Sequence, residues 1–349
     1  MKFGVTRTSA LHCVLIALSI LSFFAQAQAL YAQDTVPLSK EPALKETEKG
    51  QDSVTTNVDH ENWDSLSIAD SDLHADPPLI GAKDETPEFT RELIQIKWRV
   101  GDPIDLWVIR PHGVENPPVV LYLYGYPSET DRFRDDRFCT RITQDGFAAV
   151  GFVSALTGHR YHSRPMKEWF VGELEEALIK STHDVQMIIN YLSSRSDMDM
   201  NRVGMFGQGS GGTITILAAA VDPRIKAVDA LNPWGDWPDW MAKSARIPDA
   251  ERPKYVTADF QKQIARLDPI VWLPKLGSRP IRIQSVMDDP WTPEICKTKI
   301  EAAAPRASAK IVRWDDSESQ FEALNGRNHN MFEWIKDQLQ PASKERAAK

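Results

Sequence analysis

Six residues near the centre of the chain, Gly207-Gln208-Gly209-Ser210-Gly211-Gly212, carry the clearest chemical signal. They fall between a short apolar run, Val203 to Phe206, and an Ala- and Ile-rich stretch, Thr213 to Val221. That order reads as strand, turn, helix, and two chemistries use such a turn. One is the G-x-S-x-G elbow, in which a strained backbone projects a nucleophile away from the sheet. The other is the G-x-G-x-x-G fingerprint, whose glycines let a pyrophosphate approach the helix N-terminus. Gly207, Gly209 and Gly212 satisfy the fingerprint literally. Asp229, 17 residues beyond Gly212, is then the candidate ribose acid, but it falls inside an expected strand instead of at its end. Exported proteins seldom use soluble nicotinamide cofactors, so the expectation is no cofactor, with an exported dinucleotide-binding protein kept as an alternative.

Other reactive side chains are scattered. His329 stands in Asn325-Gly326-Arg327-Asn328-His329-Asn330, before a last helix, and a histidine exchanges protons near neutral pH. Asp289 lies in Asp288-Asp289-Pro290-Trp291-Thr292-Pro293, which also reads as a plain Asp-Pro turn into a helix. Tyr124-Gly125-Tyr126-Pro127 follows a buried strand. Arg160 and Arg164 flank His162 after another strand and could meet an anionic substrate. His159 and His162 have no carboxylate at ligand spacing, so no metal is expected. Trp234 and Trp237 could line an acyl or aromatic pocket or simply pack an insertion onto the core.

The elements that must position these groups alternate. Strands are expected at Leu93–Val100, Ile104–Ile109, Val119–Leu123, Phe147–Val153, Val203–Phe206, Ala227–Leu231, Ile281–Val286 and Lys310–Trp314. Helices are expected at about 134–144, 173–192, 213–221 and 331–339. This pattern predicts an α/β fold, a mostly parallel twisted sheet of about eight strands flanked by helices, with an antiparallel hairpin at its leading edge. Ahead of it, Lys2 and Arg7 precede the apolar run Val14–Phe24, and small-residue sites ending at Ala27, Ala29 and Ala32 follow. Residues 1–32 therefore read as a signal peptide, the run being too short for the roughly 20 residues of a spanning helix. Secreted or periplasmic location, with no stable membrane span after cleavage, is the expectation. Residues 33–90 hold 14 acidic residues and 4 lysines and read as a disordered tether, although Trp63, Leu66 and Ile68 could dock. The whole chain carries −8, the tether −10, and residues 91–349 sum to zero. No basic footprint exists, which argues against nucleic acid.

In its wider context the turn resembles that of the α/β-hydrolase superfamily, of the prolyl-oligopeptidase and dienelactone-hydrolase kind. There an amphipathic helix is followed by D-x-x-R-[IV]-G, a short strand and G-x-S-x-G-G. The matching residues here are Asp199-Met200-Asn201-Arg202-Val203-Gly204, Met205-Phe206 and Gly207 to Gly212. Counted from Arg202, Gly209 holds the nucleophile position, and Ser210 would need Gln208 where the elbow reserves a small residue. The resemblance implies that Asp289 orients His329 as the general base. It also implies that Tyr124 donates its hydroxyl to an oxyanion, with Gly125, Tyr126 and the Ser210 N–H nearby. A small lid after the Ala227–Leu231 strand is implied as well, in one domain over residues 91–345 with a tail at 346–349. The function expected is an exported relative of serine esterases and peptidases, impaired or inactive because Gly209 replaces serine, that binds a small ester, peptide or related ligand. The alternative is an active hydrolase working through His329 and Asp289, or through Ser210.

Overall fold

In the computed structural model the strands are β1 (Leu79–Glu85), β2 (Phe89–Ile96), β3 (Ile104–Pro111), β4 (Pro118–Leu123), β5 (Ala148–Phe152), β6 (Asp199–Gln208), β7 (Ile225–Leu231), β8 (Ile281–Val286) and β9 (Ala309–Trp314). They form one sheet in the order β1-β2-β3-β5-β4-β6-β7-β8-β9. The structure describes residues 60–126, 128, 130–157, 160, 171–325 and 332–340. β1, β2 and β3 pair antiparallel, as do β3 and β5, and every other pairing is parallel. The fold is α/β, as the alternation predicts, with one strand more than expected.

β4 shows why the centre of the sheet needs cover on both sides. All six of its residues are buried, and successive side chains of a strand point to opposite faces. Val119, Leu121 and Leu123 join one core with Leu178 and Ile188 of α2 (Leu174–Ser193) and Ile214 and Leu217 of α3 (Ser210–Val221). Val120 and Tyr122 join a second core with Ile142 of α1 (Asp136–Thr143) and Ile335 of the C-terminal helix Glu333–Leu339. Cys139 and Cys296 are free thiols, one in each core.

The expected tether is corrected from residue 60 onward. Leu66, Ile68 and Leu73 are buried in the α2-side core, and β1 adds an exposed edge strand outside β2. The segment lies along α2 through specific bonds: the Ile68 N–H donates to Gln186 Oε1 (3.0 Å), and Gln186 Nε2 donates to the Leu66 carbonyl (2.8 Å). Residues 60–90 contain eight of the acids and one lysine, so most of the negative charge belongs to the folded unit. Composition alone failed because Glu61 pairs with Arg99 and His183, far along the sequence, while Leu66, Ile68 and Leu73 supply the apolar anchor. Residues 1–59, with the expected signal peptide and the rest of the tether, lie outside the described residues, as does the tail at 346–349. No helix among the described residues is long and apolar enough to cross a membrane.

Between β7 and β8 an insertion carries α4 (Trp237–Lys243), α5 (Ala258–Ile264) and α6 (Pro269–Trp272). It is stitched to the loop after β8: the Ala245 N–H donates to Pro290 O (3.0 Å) and the Ser244 hydroxyl to Trp291 O (2.6 Å).

Candidate functional site

Open parallel sheets bind ligands beyond the carboxyl ends of their strands, and the chain forms a pocket there. Gly125 follows β4, Gln208 and Gly209 end β6, Asn232 follows β7, and Val286 and Asp289 come at and after the end of β8. The pocket holds about 240 Å³.

Gly209 is the tip of the turn from β6 to α3, at φ 55° and ψ −123°. This backbone region belongs almost solely to glycine unless the surroundings enforce it. Here they do. The Gly209 N–H donates to Leu231 O (2.9 Å) and its carbonyl accepts the Thr213 N–H (3.1 Å). A methyl group on Gly207 would collide with the Gly211 carbonyl and Thr215 Oγ1, and one on Gly211 with the Leu123 carbonyl. At Gly209 a Cβ meets only Trp234 Nε1 at 3.3 Å and looser neighbours. The two outer glycines are thus demanded by close packing of helix on strand. The middle one is the position of the turn with room for a side chain facing the pocket.

The same geometry removes the dinucleotide reading of the turn. Gly207 and Gly212 are taken up by packing against the polypeptide, Gly212 against Gly207 O and Pro233. Asp229 is buried inside the sheet, bonded to Arg282 (2.6 and 3.0 Å) and to Gln284 Nε2 (2.9 Å), with no access to a ribose.

Ser210 is also committed. It is fully buried, and its Oγ accepts the Tyr126 N–H at 2.9 Å. Tyr124 stays out of the pocket: two residues beyond Tyr122 on one face, it packs against Phe206 (6.1 Å between rings) beneath the Arg132 guanidinium at 4.4 Å. Its ring serves the second core, and its hydroxyl, given the oxyanion role by the resemblance, is buried outside the pocket lining. Tyr126 and Gly125 do line the pocket, as does Trp234. Trp237 does not, being buried edge-on against Trp240.

Asp289 lines the pocket whereas Asp288 does not. Its Oδ1 accepts the Trp291 N–H (3.0 Å), and Lys297 Nζ holds its carbonyl (3.0 Å). Burial pushes the Asp289 carboxyl up from its usual range against the opposing pull of the Trp291 N–H and Lys297. His329 and Arg164 lie outside the described residues, as do His159 and His162.

Arg160 proves to be structural. Its guanidinium clasps Asp102 (2.7 Å twice) and Asp184 (2.6 Å) in a buried ion cluster far from a substrate role. Sequence reasoning missed Arg246, Asn232 and Trp291, all of which line the pocket. Arg246 comes from the insertion, where no motif marked it. Asn232 holds a positive φ of 44° and accepts the Val286 N–H (2.7 Å), tying the end of β7 to β8. An asparagine directly after a buried strand was the available signal, since Asn tolerates that conformation.

Comparison with known proteins agrees with this architecture. The profile of the X-Pro dipeptidyl-peptidase (S15) family matches residues 101–267. A putative hydrolase, YtaP, of Bacillus subtilis (strain 168) is 25% identical over 137 residues, spanning 34% of this chain and 45% of that protein. The match therefore covers less than half the length of that relative. An acetyl xylan esterase from Paenibacillus sp. R4 superposes with a TM-score of 0.59 at 18% identity, over 79% of this chain and 92% of that one. Acetyl xylan esterase 1 from Thermoanaerobacterium sp. JW/SL YS485 gives 0.56 at 15%, over 69% and 82%. The acylaminoacyl peptidase of Pyrococcus horikoshii gives 0.56 at 15%, over 76% of this chain and 45% of that one. At these identities the likeness of the solved structures is one of fold.

Proposed function

We propose that the chain, whose fold is shared with solved acetyl xylan esterases and an acylaminoacyl peptidase, is an impaired or inactive acyl hydrolase of the α/β-hydrolase kind that binds a small ester, peptide or related ligand. The observation that carries this reading is Gly209. It has the strained backbone of an elbow, the tight glycines on either side and the pocket in front, yet no side chain to attack with. Acyl transfer needs a nucleophile that a base can activate. Ser210 is a poor substitute, because its hydroxyl is buried and engaged by Tyr126.

Wild-type protein is expected to resist fluorophosphonate labelling and to hydrolyse p-nitrophenyl esters at no more than the roughly 10³–10⁴-fold residual level over water that binding and oxyanion donors sustain. Mass spectrometry and turnover assays check this, and labelling at Ser210 would overturn it. A second reading is favoured by Asp289, which faces the pocket with a raised pKa: water activated by His329 with Asp289 behind it. Turnover without labelling, abolished in His329→Ala, would establish that reading instead.

We also propose export, on the strength of Lys2, Arg7 and the Val14–Phe24 run. The mature protein recovered from the exported fraction should begin directly after Ala27, Ala29 or Ala32, as read by N-terminal mass spectrometry. An intact Met1 in that fraction refutes cleavage.

A further inference from the structure

Among the described residues lining the pocket in front of Gly209, Arg246 is a cation with no carboxylate in ion-pair contact; Asp289 acts on it only through space. Arg246 lies across Trp291, its guanidinium carbon 3.7 Å from the ring centroid, and Nη2 donates to the Tyr126 carbonyl at 3.0 Å. Nε is buried without an acceptor, and among the described residues no carboxylate forms an ion pair with the group. The contrast within the fold is plain. Arg99, Arg160 and Arg282, more deeply buried than the half-buried Arg246, each hold a carboxylate at 2.6 Å. A partly desolvated charge without a counter-ion is costly unless something completes it. Stacking on an indole offsets part of that cost and fixes the guanidinium plane, but supplies no hydrogen-bond acceptor.

We propose that the pocket receives a ligand bearing a carboxylate, and that Arg246 is the group that binds it. This rests on the reading of the pocket as a ligand site and adds the chemical class of the ligand. Guanidinium and carboxylate form the strong, geometrically matched pair. Trp234 and Trp291 offer aromatic surface beside it, and Asn232, Ser317 and Gln320 offer polar contacts. At about 240 Å³ the cavity suits a body of modest size. Asp289, the other charged group of the pocket, acts on Arg246 through space without an ion-pair contact, and burial works against its own ionisation, which weakens its hold on the guanidinium.

The test uses three probes that differ at one group: 3-phenylpropanoate, 3-phenylpropanamide and methyl 3-phenylpropanoate. Titration calorimetry on wild type, Arg246→Gln and Arg246→Lys gives the ratio of amide to carboxylate Kd within each protein, so altered folding does not masquerade as lost charge recognition. A charge-assisted hydrogen bond predicts a ratio of about 10 or more in wild type. The ratio should fall to about 1 in Arg246→Gln and take an intermediate value in Arg246→Lys. Equal binding of all three probes by wild type overturns the carboxylate site while leaving the pocket an acyl-ligand site. A wild-type preference that survives in Arg246→Gln overturns the assignment to Arg246. Turnover of the methyl ester by wild type would instead count against the inactive reading, leaving the carboxylate preference to be judged on its own ratio.

Discussion

Gly209→Ser is expected to become reactive to fluorophosphonates where wild type is not, and to gain ester turnover on the order of 10³-fold. The magnitude follows from two opposing amounts. Loss of a triad serine costs about 10⁶ in rate, so its return is worth about that much in an intact site. Against this, a missing oxyanion donor takes back about 10²–10³, and in this chain the Tyr126 N–H is spent on Ser210 Oγ. The new side chain would begin at a Cβ already 3.3 Å from Trp234 Nε1, facing the pocket that Asp289 also lines. It would also impose a side chain on φ 55°, ψ −123°, at a cost of about 1–3 kcal/mol. Urea denaturation should therefore show a less stable protein that is more active. A folded Gly209→Ser that stays unlabelled would mean that no general base stands beside position 209.

Ser210 makes the same experiment sharper. In Gly209→Ser/Ser210→Ala the Tyr126 N–H loses its internal acceptor and becomes available to an oxyanion. Turnover should rise by a further factor of about 10² over Gly209→Ser, with a stability loss of about 1–2 kcal/mol from the deleted buried hydrogen bond. An unchanged rate in the double variant would show that the Ser210 hydroxyl and the oxyanion do not compete for one donor.

Much of the fold was legible because its centre obeys simple periodicities. The uninterrupted apolar run at Val119–Leu123 could only be a strand covered on both faces, and Ile281–Val286 was bounded correctly at both ends. The glycine turn was legible for a harder physical reason: Gly207 and Gly211 admit no Cβ at all, so their spacing records how closely α3 approaches β6 and the end of β4. The packing of the Tyr124 ring into the second core was not legible, because a sequence motif carries no information about which face of the strand its last residues continue. Arg160 was misjudged because a loop arginine after a strand looks alike whether it meets substrate or Asp102 and Asp184. The segment from residue 60 escaped recognition for the same cause. Acidic composition argues for disorder only while the acids lack counter-ions, and Glu61 finds Arg99 and His183.

That ion cluster yields the largest expected effect on stability. Asp184 of α2 accepts from Arg99 Nη1 and Arg160 Nη1, each at 2.6 Å, and from Trp98 Nε1 at 3.1 Å. Asp184→Ala would leave two buried guanidiniums short of an anion and an indole N–H without an acceptor, at a cost of about 3–5 kcal/mol by urea denaturation. Because Glu61 shares Arg99 with Asp184, the segment from residue 60 should loosen first and become the earliest site of limited proteolysis. Acid acts on the same joint. Burial would raise the Glu61 pKa, but its bonds to Arg99 and His183 outweigh that and hold it at about 2. A carboxyl depressed on folding stabilises fully above its unfolded value and loses that contribution as pH falls through the folded one. Between about pH 4.5 and 2 wild type should thus lose on the order of 3 kcal/mol through this residue, and Glu61→Gln should flatten the stability profile over that interval. If Asp184→Ala unfolds within about 1 kcal/mol of wild type, or Glu61→Gln keeps the same acid slope, the cluster does not hold the N-terminal segment to α2.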